Sequence, residues 1–255
     1  KPDKVGTHLG TSRFLEVRNI HKRFSGVYAL RGVSLTIERG QIYHLMGENG
    51  CGKSTLIKII SGAQPASAGT LHIDGQLCQA LTPLQALAAG IQTVYQDLSL
   101  IPNLTVAENI GLTEQLVERR GKLLQWLQPR QLAETAAAGL RSVGLPDDAA
   151  FQRQLIEDLP IATRQLVAIA RAVACKARLV IMDEPTTALT QREVDHLIAV
   201  VRRLQGEGVA VLSASGGMGE LAADYAHLER VGLPALAPQT LAGLAAALPP
   251  MATPA

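Results

Sequence analysis

The chain has 255 residues, 47% of them hydrophobic and 18% charged, with 24 Lys and Arg against 22 Asp and Glu. That length accommodates one large α/β domain burying roughly three-quarters of its unfolded surface. The composition excludes a disordered chain, and the charge balance argues against a strongly basic nucleic-acid binder. Cys51, Cys78 and Cys175 stand far apart with no CxxC pair. A disulfide framework or structural zinc site is therefore not expected, and a reducing compartment is. No apolar run reaches the roughly 18–20 residues that cross a bilayer, and the first residues lack an apolar signal core. Both features predict a soluble, cytoplasmic protein.

Residues 1–12 read as a polar leader. The stretch 14–19 (FLEVRN) alternates apolar and polar, as an edge strand would, and 33–37 (VSLTI) does the same before the Glu38-Arg39-Gly40 turn. A short apolar run, 42–46 (IYHLM), meets a glycine cluster, and a helical pattern covers 53–60. Further strands are expected at 70–74 and 91–95. From about Asn103 to Ile156, Leu, Gln, Glu, Arg and Ala dominate with helical spacing, broken by a loop at Pro146 and Asp147-Asp148. An amphipathic helix at 164–174 precedes a buried strand, 179–182 (LVIM), that ends on Asp183-Glu184. A helix at 194–205 stops at 206–208, a strand follows at 209–212, and 238–248 forms one last helical stretch. The expected organisation is one domain over 13–248. Its α/β core comprises 13–97 and 160–248, its helical subdomain 98–159, and 249–255 is a frayed tail.

The segment Gly47-Glu48-Asn49-Gly50-Cys51-Gly52-Lys53-Ser54-Thr55 satisfies GxxxxGK[ST] between an expected strand and an expected helix. Glycines let the backbone wrap so that its N–H groups and the helix N-terminus face a phosphate. Lys53 supplies a point charge for the β- and γ-phosphates, and the Ser54 hydroxyl can ligate Mg²⁺. Asp183, at the end of its apolar strand, is placed to reach the same metal. Glu184 beside it is placed to polarise an attacking water. ATP and Mg²⁺ are therefore the expected ligands.

These motifs, with HKRFSGVYALRGVSLTIERGQIYHLMGENGCGKSTL, IQTVYQDLSLIPNLTVAENI, LPIATRQLVAIARAV and LVIMDEPTTALTQREVD, resemble the nucleotide-binding subunit of an ATP-binding cassette (ABC) transporter. The carbohydrate-uptake branch is the most similar. The resemblance implies an α/β P-loop NTPase core, a mixed sheet with helices, carrying an antiparallel β edge and an inserted α-helical subdomain. It implies that Phe24 stacks on adenine, for which an aromatic face suffices. It also implies that Gln96 senses Mg²⁺ and the attacking water, and that 97–110 meets the membrane partner. Leu159-Pro160-Ile161-Ala162-Thr163 stands where the family carries its signature, which caps the ATP of the opposite subunit in a head-to-tail dimer. Pro160, Ile161, Ala162 and Thr163 thus join the expected nucleotide site.

Two departures stand out. Pro160 replaces the usual serine and has no backbone N–H, although proline suits a helix start. Gly216 occupies the position of a histidine that contacts the γ-phosphate. Losing one such contact costs on the order of 3 kcal/mol, or ~10²-fold in rate. The six histidines read as surface or packing residues. Cys51 reads as a small spacer in the loop, with a reactive thiol as the second reading.

The resemblance implies an importer ATPase on the cytoplasmic face of the inner membrane. It would act with transmembrane permease subunits and, indirectly, an extracytoplasmic solute-binding protein, as a homodimer or heterodimer, without nucleic acid. The alternative is a hydrolysis-impaired nucleotide-binding subunit paired with a competent one or acting in regulation. A cassette ATPase of translation or DNA repair is disfavoured, because such proteins carry tandem cassettes or a coiled-coil insertion.

Overall fold

The structure, a computed structural model, describes residues 13–47, 50–79, 81–95, 99–118, 128–183 and 190–214. In chain order its strands and helices begin with β1 (Arg13–Phe24), β2 (Val27–Glu38), β3 (Ile42–Leu45), α1 (Lys53–Ile60), β4 (Ala68–Ile73), β5 (Gln76–Cys78), α2 (Pro83–Ala88) and β6 (Ile91–Val94). They continue with α3 (Val106–Glu118), α4 (Pro129–Ser142), α5 (Ala149–Gln152), α6 (Ile161–Ala174), β7 (Leu179–Asp183), α7 (Gln191–Gly206) and β8 (Ala210–Ala214). A short 3₁₀ turn, Ile156–Asp158, precedes α6.

Four strands form an antiparallel sheet in the order β2-β1-β4-β5, and four form a parallel sheet in the order β3-β8-β7-β6. The hairpin β1–β2 closes through Ser25 and Gly26, both at positive φ (37° and 97°), the twist that matches paired strands. Residues 14–19 were expected as an edge strand. Instead they belong to a twelve-residue strand with neighbours on both sides, β2 and β4. Alternation reports a sheet with one wet face, whether or not the strand lies at the edge. Phe14, Leu15, Val17 and Ile20 are buried, while Arg18 and Asn19 are exposed. Asn19 sits at φ 51° within a register shift, and Gly69 packs against it so closely that a Cβ would lie 2.3 Å from the Asn19 carbonyl oxygen.

The strand β7 is buried on both faces. Leu179 and Ile181 pack with Phe14, Leu15 and Ile37 of the antiparallel sheet and with Ile57 and Ile60 of α1. Val180 and Met182 pack on the other side with Ile110 of α3, Leu140 of α4, Val167 of α6 and Leu204 of α7. A strand sandwiched this way has no polar face to show, which is why LVIM reads as a continuous apolar run. Each such side chain contributes about 1.5–3 kcal/mol by burial.

Charged groups tie the two sheets together. Asp74, just after β4, accepts from Arg39 at 2.5 Å and from Arg178, which leads into β7. Both guanidiniums lie over the buried Phe14 ring, 5.4 Å and 4.6 Å from its centroid. In the helical region, the buried Asn109 side chain bonds Ile101 through both its oxygen (2.8 Å) and its nitrogen (3.1 Å). Three backbone bonds join 102–106 to 154–157: Val106 to Gln154, Ile156 to Leu104 and Glu157 to Pro102.

Candidate nucleotide site

The strand β3 delivers the chain into the glycine loop, and α1 leaves it. Gly47, Gly50 and Gly52 have φ of 154°, 86° and 102°. At Gly52 a Cβ would lie 2.6 Å from the Ala29 carbonyl oxygen and 2.8 Å from Leu30 Cδ2. Both conformation and space therefore demand glycine there. The helix start carries no side-chain cap and no acidic residue in its first turn. The first intrahelical bond runs from Leu56 N–H to Gly52 O at 2.9 Å, so the backbone N–H groups before it remain directed out of the helix. Leu56, Ile57, Ile59 and Ile60 bury the opposite face and fix the helix in the core. Lys53 Nζ donates to the Gly47 carbonyl, folding its cation back over the loop. Cys51 is exposed, with its Sγ 3.9 Å from Lys53 Nζ. Ser54 is exposed and Thr55 half-buried.

Register sets the rest of the site. Ala214 of β8 pairs with Leu45 on one side and with Asp183 on the other. The end of β3, the end of β8 and Asp183 therefore lie in one row across the parallel sheet. With strands about 4.8 Å apart, the Asp183 backbone stands roughly 10 Å from that of Leu45. This row is the carboxyl edge of the sheet, where open α/β folds bind ligands. Ser54 and Asp183 contribute a hydroxyl and a carboxylate, hard oxygen donors that suit Mg²⁺, which retains waters and phosphate oxygens as its other ligands. Among the described residues no group of three or more His, Cys, Asp or Glu gathers as a self-sufficient metal cage.

Phe24 is 43% exposed at the tip of the β1–β2 hairpin, so it is not a core residue. The hairpin leans on the loop through Ala29 and Gly52, and Lys22 Nζ sits 5.0 Å from the Phe24 ring centroid. Tyr28, a second exposed aromatic, pairs across the hairpin with Arg23. The guanidiniums of Arg23 and Arg31 lie 5.4 Å and 5.7 Å from its ring. Sequence reasoning passed over Tyr28; only the cross-strand register reveals it.

Residues 160–163 open a different helix. Pro160 is the N-cap of α6, extended at φ −56° and ψ 151°, with no side-chain cap. Arg164 donates its backbone N–H to Pro160 O at 2.9 Å and its Nε to Leu159 O at 2.7 Å. Proline thus starts the helix without disturbing it. Ile161 is 45% exposed and Ala162 is buried. Toward the other end of α6, Arg171 donates to the Ser99 carbonyl at 2.8 Å, and burial pushes its pKa below the ordinary arginine value. Glu48, Asn49, Gln96, Glu184 and Gly216 lie outside the described residues, as do the expected leader, the 238–248 helix and the tail.

A P-loop opening a helix at the carboxyl edge of a parallel sheet, backed by an antiparallel sheet, is the arrangement of an ATP-binding cassette. Residues 30–187 match the ABC transporter family, and the chain belongs to it. It is 47% identical over 210 residues to the ribose import ATP-binding protein RbsA 1 of Burkholderia cenocepacia, covering 81% of this chain and 40% of that protein. Against RbsA 2 of Escherichia coli O157:H7 the identity is 42% over 213 residues, covering 84% and 40%. The chain thus spans about 40% of the length of these relatives. Among solved structures, it resembles a dimeric ATP-binding cassette in a post-hydrolysis state bound to ADP and phosphate. There the TM-score is 0.67 and the identity 25%, over 80% of this chain and 89% of that one. A nucleotide-free cassette of an ABC transporter superimposes with a TM-score of 0.69 at 22% identity, over 83% and 84% of the two chains, a likeness of fold.

Proposed function

We propose that this chain is the ATP-binding part of a sugar importer, coupling ATP binding and hydrolysis to uptake of a ribose-like solute through partner permeases. The observation that carries the reading is the glycine loop 47–55 at the start of α1, in a chain 47% identical to a ribose import ATP-binding protein. The loop's N–H groups and Lys53 hold the β- and γ-phosphates, and Phe24 stacks on adenine. Mg²⁺ held by Ser54 and Asp183 would neutralise charge on the phosphate oxygens. Glu184 takes the proton of the attacking water, and Gln96 orients that water. Residues 13–248 act as one cassette, with 98–159 as its helical subdomain. The working form is a head-to-tail dimer at the cytoplasmic face of the membrane, with an external solute-binding protein as the indirect partner.

A second reading has a specific observation behind it. At the N-cap of α6, Pro160 offers neither a side-chain hydroxyl nor an N–H to a partner's γ-phosphate. Together with Gly216, it favours a hydrolysis-poor subunit paired with a competent one. Steady-state ATPase activity of the chain, beside Glu184→Gln and Gly216→His, separates the two. Turnover in wild type that Glu184→Gln abolishes supports the working motor. A silent wild type that binds ATP and is restored by Gly216→His supports the poor half-site. Absence of ATP binding in all three contradicts both.

A further inference from the structure

A cavity of about 220 Å³ lies along the outer edge of β6, between α2 and the helical region, with Ser61, Gln92, Tyr95, Ser99, Thr113 and Arg171 in its lining. Gln92 is only 5% exposed, and its amide nitrogen has no hydrogen-bond partner. An unpaired buried donor costs roughly 1–3 kcal/mol, so folding alone gives no reason to keep it. The neighbouring hydroxyls of Ser61 and Tyr95 bond each other at 3.0 Å. Arg171 anchors to the Ser99 carbonyl and brings a largely desolvated cation to the same cavity. No acidic residue lines it among the described residues. A guanidinium and an amide NH₂ can only donate. Together in a dry groove they select an acceptor carrying negative charge, and a carboxylate takes such donors in a charge-assisted fork.

We propose that this groove receives a carboxylate side chain from a cytoplasmic loop of the membrane partner, held by Gln92 and Arg171. The proposal rests on the permease-partner reading above and adds the chemistry the partner must present. Ser99, at the rim, lies within the 97–110 segment assigned to that partner. A partner carboxylate bound there would also bear on α6 through Arg171, and hence on the helix that begins at Pro160.

The test uses the full chain labelled with ¹⁵N-glutamine, titrated with N-acetylglutamate α-amide, its neutral N-acetylglutamine counterpart, or inorganic phosphate. The Gln92 side-chain signal is assigned by its loss in Gln92→Leu. The expected result is a saturable shift of that signal by the glutamate probe at a concentration at least tenfold below that needed for the other two. Equal response to the neutral probe, tighter response to phosphate, or no shift overturns the proposal. Gln92→Leu removes an unpaired donor at nearly constant volume, so its melting temperature is expected to equal or exceed wild type; a lower one points to a structural amide and overturns it. In native membranes, a photo-crosslinking benzoylphenylalanine in place of Ser99 should map to an Asp- or Glu-bearing cytoplasmic loop of a membrane protein. Mapping to a soluble protein or to a loop without an acidic residue overturns the partner assignment. ATP binding measured in the same samples keeps the failures apart: intact ATP binding with no probe response sinks the groove alone, while absent ATP binding sinks the cassette reading.

Discussion

At Gly52 the loop has least freedom to vary. The positive φ and the 2.6 Å approach to the Ala29 carbonyl act together, and the second atom is backbone, which cannot rotate away. Gly52→Ala is expected to destabilise the chain by roughly 2–3 kcal/mol and to weaken ATP binding with it, read by urea unfolding and equilibrium titration. Unchanged stability would mean the loop reshapes freely. Gly47 was legible as a loop glycine from the motif, but the reason it must be small, a Cys51 Sγ 2.6 Å from where its Cβ would lie, required three dimensions. Cys51 accordingly has a packing role that favours its reading as a spacer. Sequence spacing also could not show that Asp183 shares a row with Leu45, because that depends on β8 entering between β3 and β7.

At the scale of elements, helix boundaries follow local chemistry. The expected helix 53–60 coincides with α1 because Gly52 starts it and an apolar stripe continues it. The expected 164–174 begins earlier, at Ile161, since Pro160 pre-sets the entry. Likewise α7 begins at Gln191, three residues before its apolar pattern, because Thr190 caps it: Glu193 accepts from the Thr190 N–H at 2.7 Å and from its hydroxyl at 2.8 Å. The same device starts α2, where Gln85 accepts from the Thr82 N–H at 2.9 Å. Thr82-Pro83-Leu84-Gln85 spelled that start in the sequence, yet a six-residue helix offers too little periodicity to announce itself. The three-residue β5 is shorter still.

These caps make acid sensitivity predictable. Hydrogen bonds from Thr190 lower the Glu193 pKa, and the backbone N–H groups of Phe151 and Ala150 lower that of Asp148 at the start of α5. A carboxylate whose folded pKa is depressed contributes stability above its unfolded value and loses it as pH falls through the folded one. Melting temperature should therefore drop as pH falls below the ordinary carboxylate range, and less steeply in Glu193→Gln or Asp148→Asn. An unchanged slope in both variants would contradict the cap assignment. At the far end of α4, α7 supplies the missing donors. Arg203 reaches Ser142 O at 2.8 Å, and the His196 ring nitrogen Nε2 lies 3.1 Å from Val143 O. Arg203→Met is expected to cost about 1 kcal/mol and to increase hydrogen exchange near the end of α4; exchange confined to α7 would argue against the link.

Across the whole molecule, the two sheets share α1 and β7 as their common core, with Asp74 as the polar tie between them. Removing Asp74 leaves two guanidiniums over Phe14 without their shared carboxylate. Since all three charged groups are partly exposed, Asp74→Ala is expected to cost only about 1–2 kcal/mol, measured by chemical unfolding. A neutral substitution would show the tie to be incidental. The layered α/β plan was legible because buried strands and the phosphate loop leave strong local marks. The antiparallel sheet was not fully so: β1 reads alike whether it is an edge or has neighbours on both sides, and its second partner, β4, lies more than forty residues downstream.

The central claim, that this fold presents the 47–55 loop to the phosphates of ATP, is tested most directly by equilibrium binding of MgATP to the wild type and to Lys53→Ala. The wild type is expected to bind saturably, and loss of the Lys53 charge to weaken that binding by on the order of 10²-fold while the melting temperature without nucleotide stays put. Equal affinity in the two proteins, or no binding to the wild type, would contradict the account.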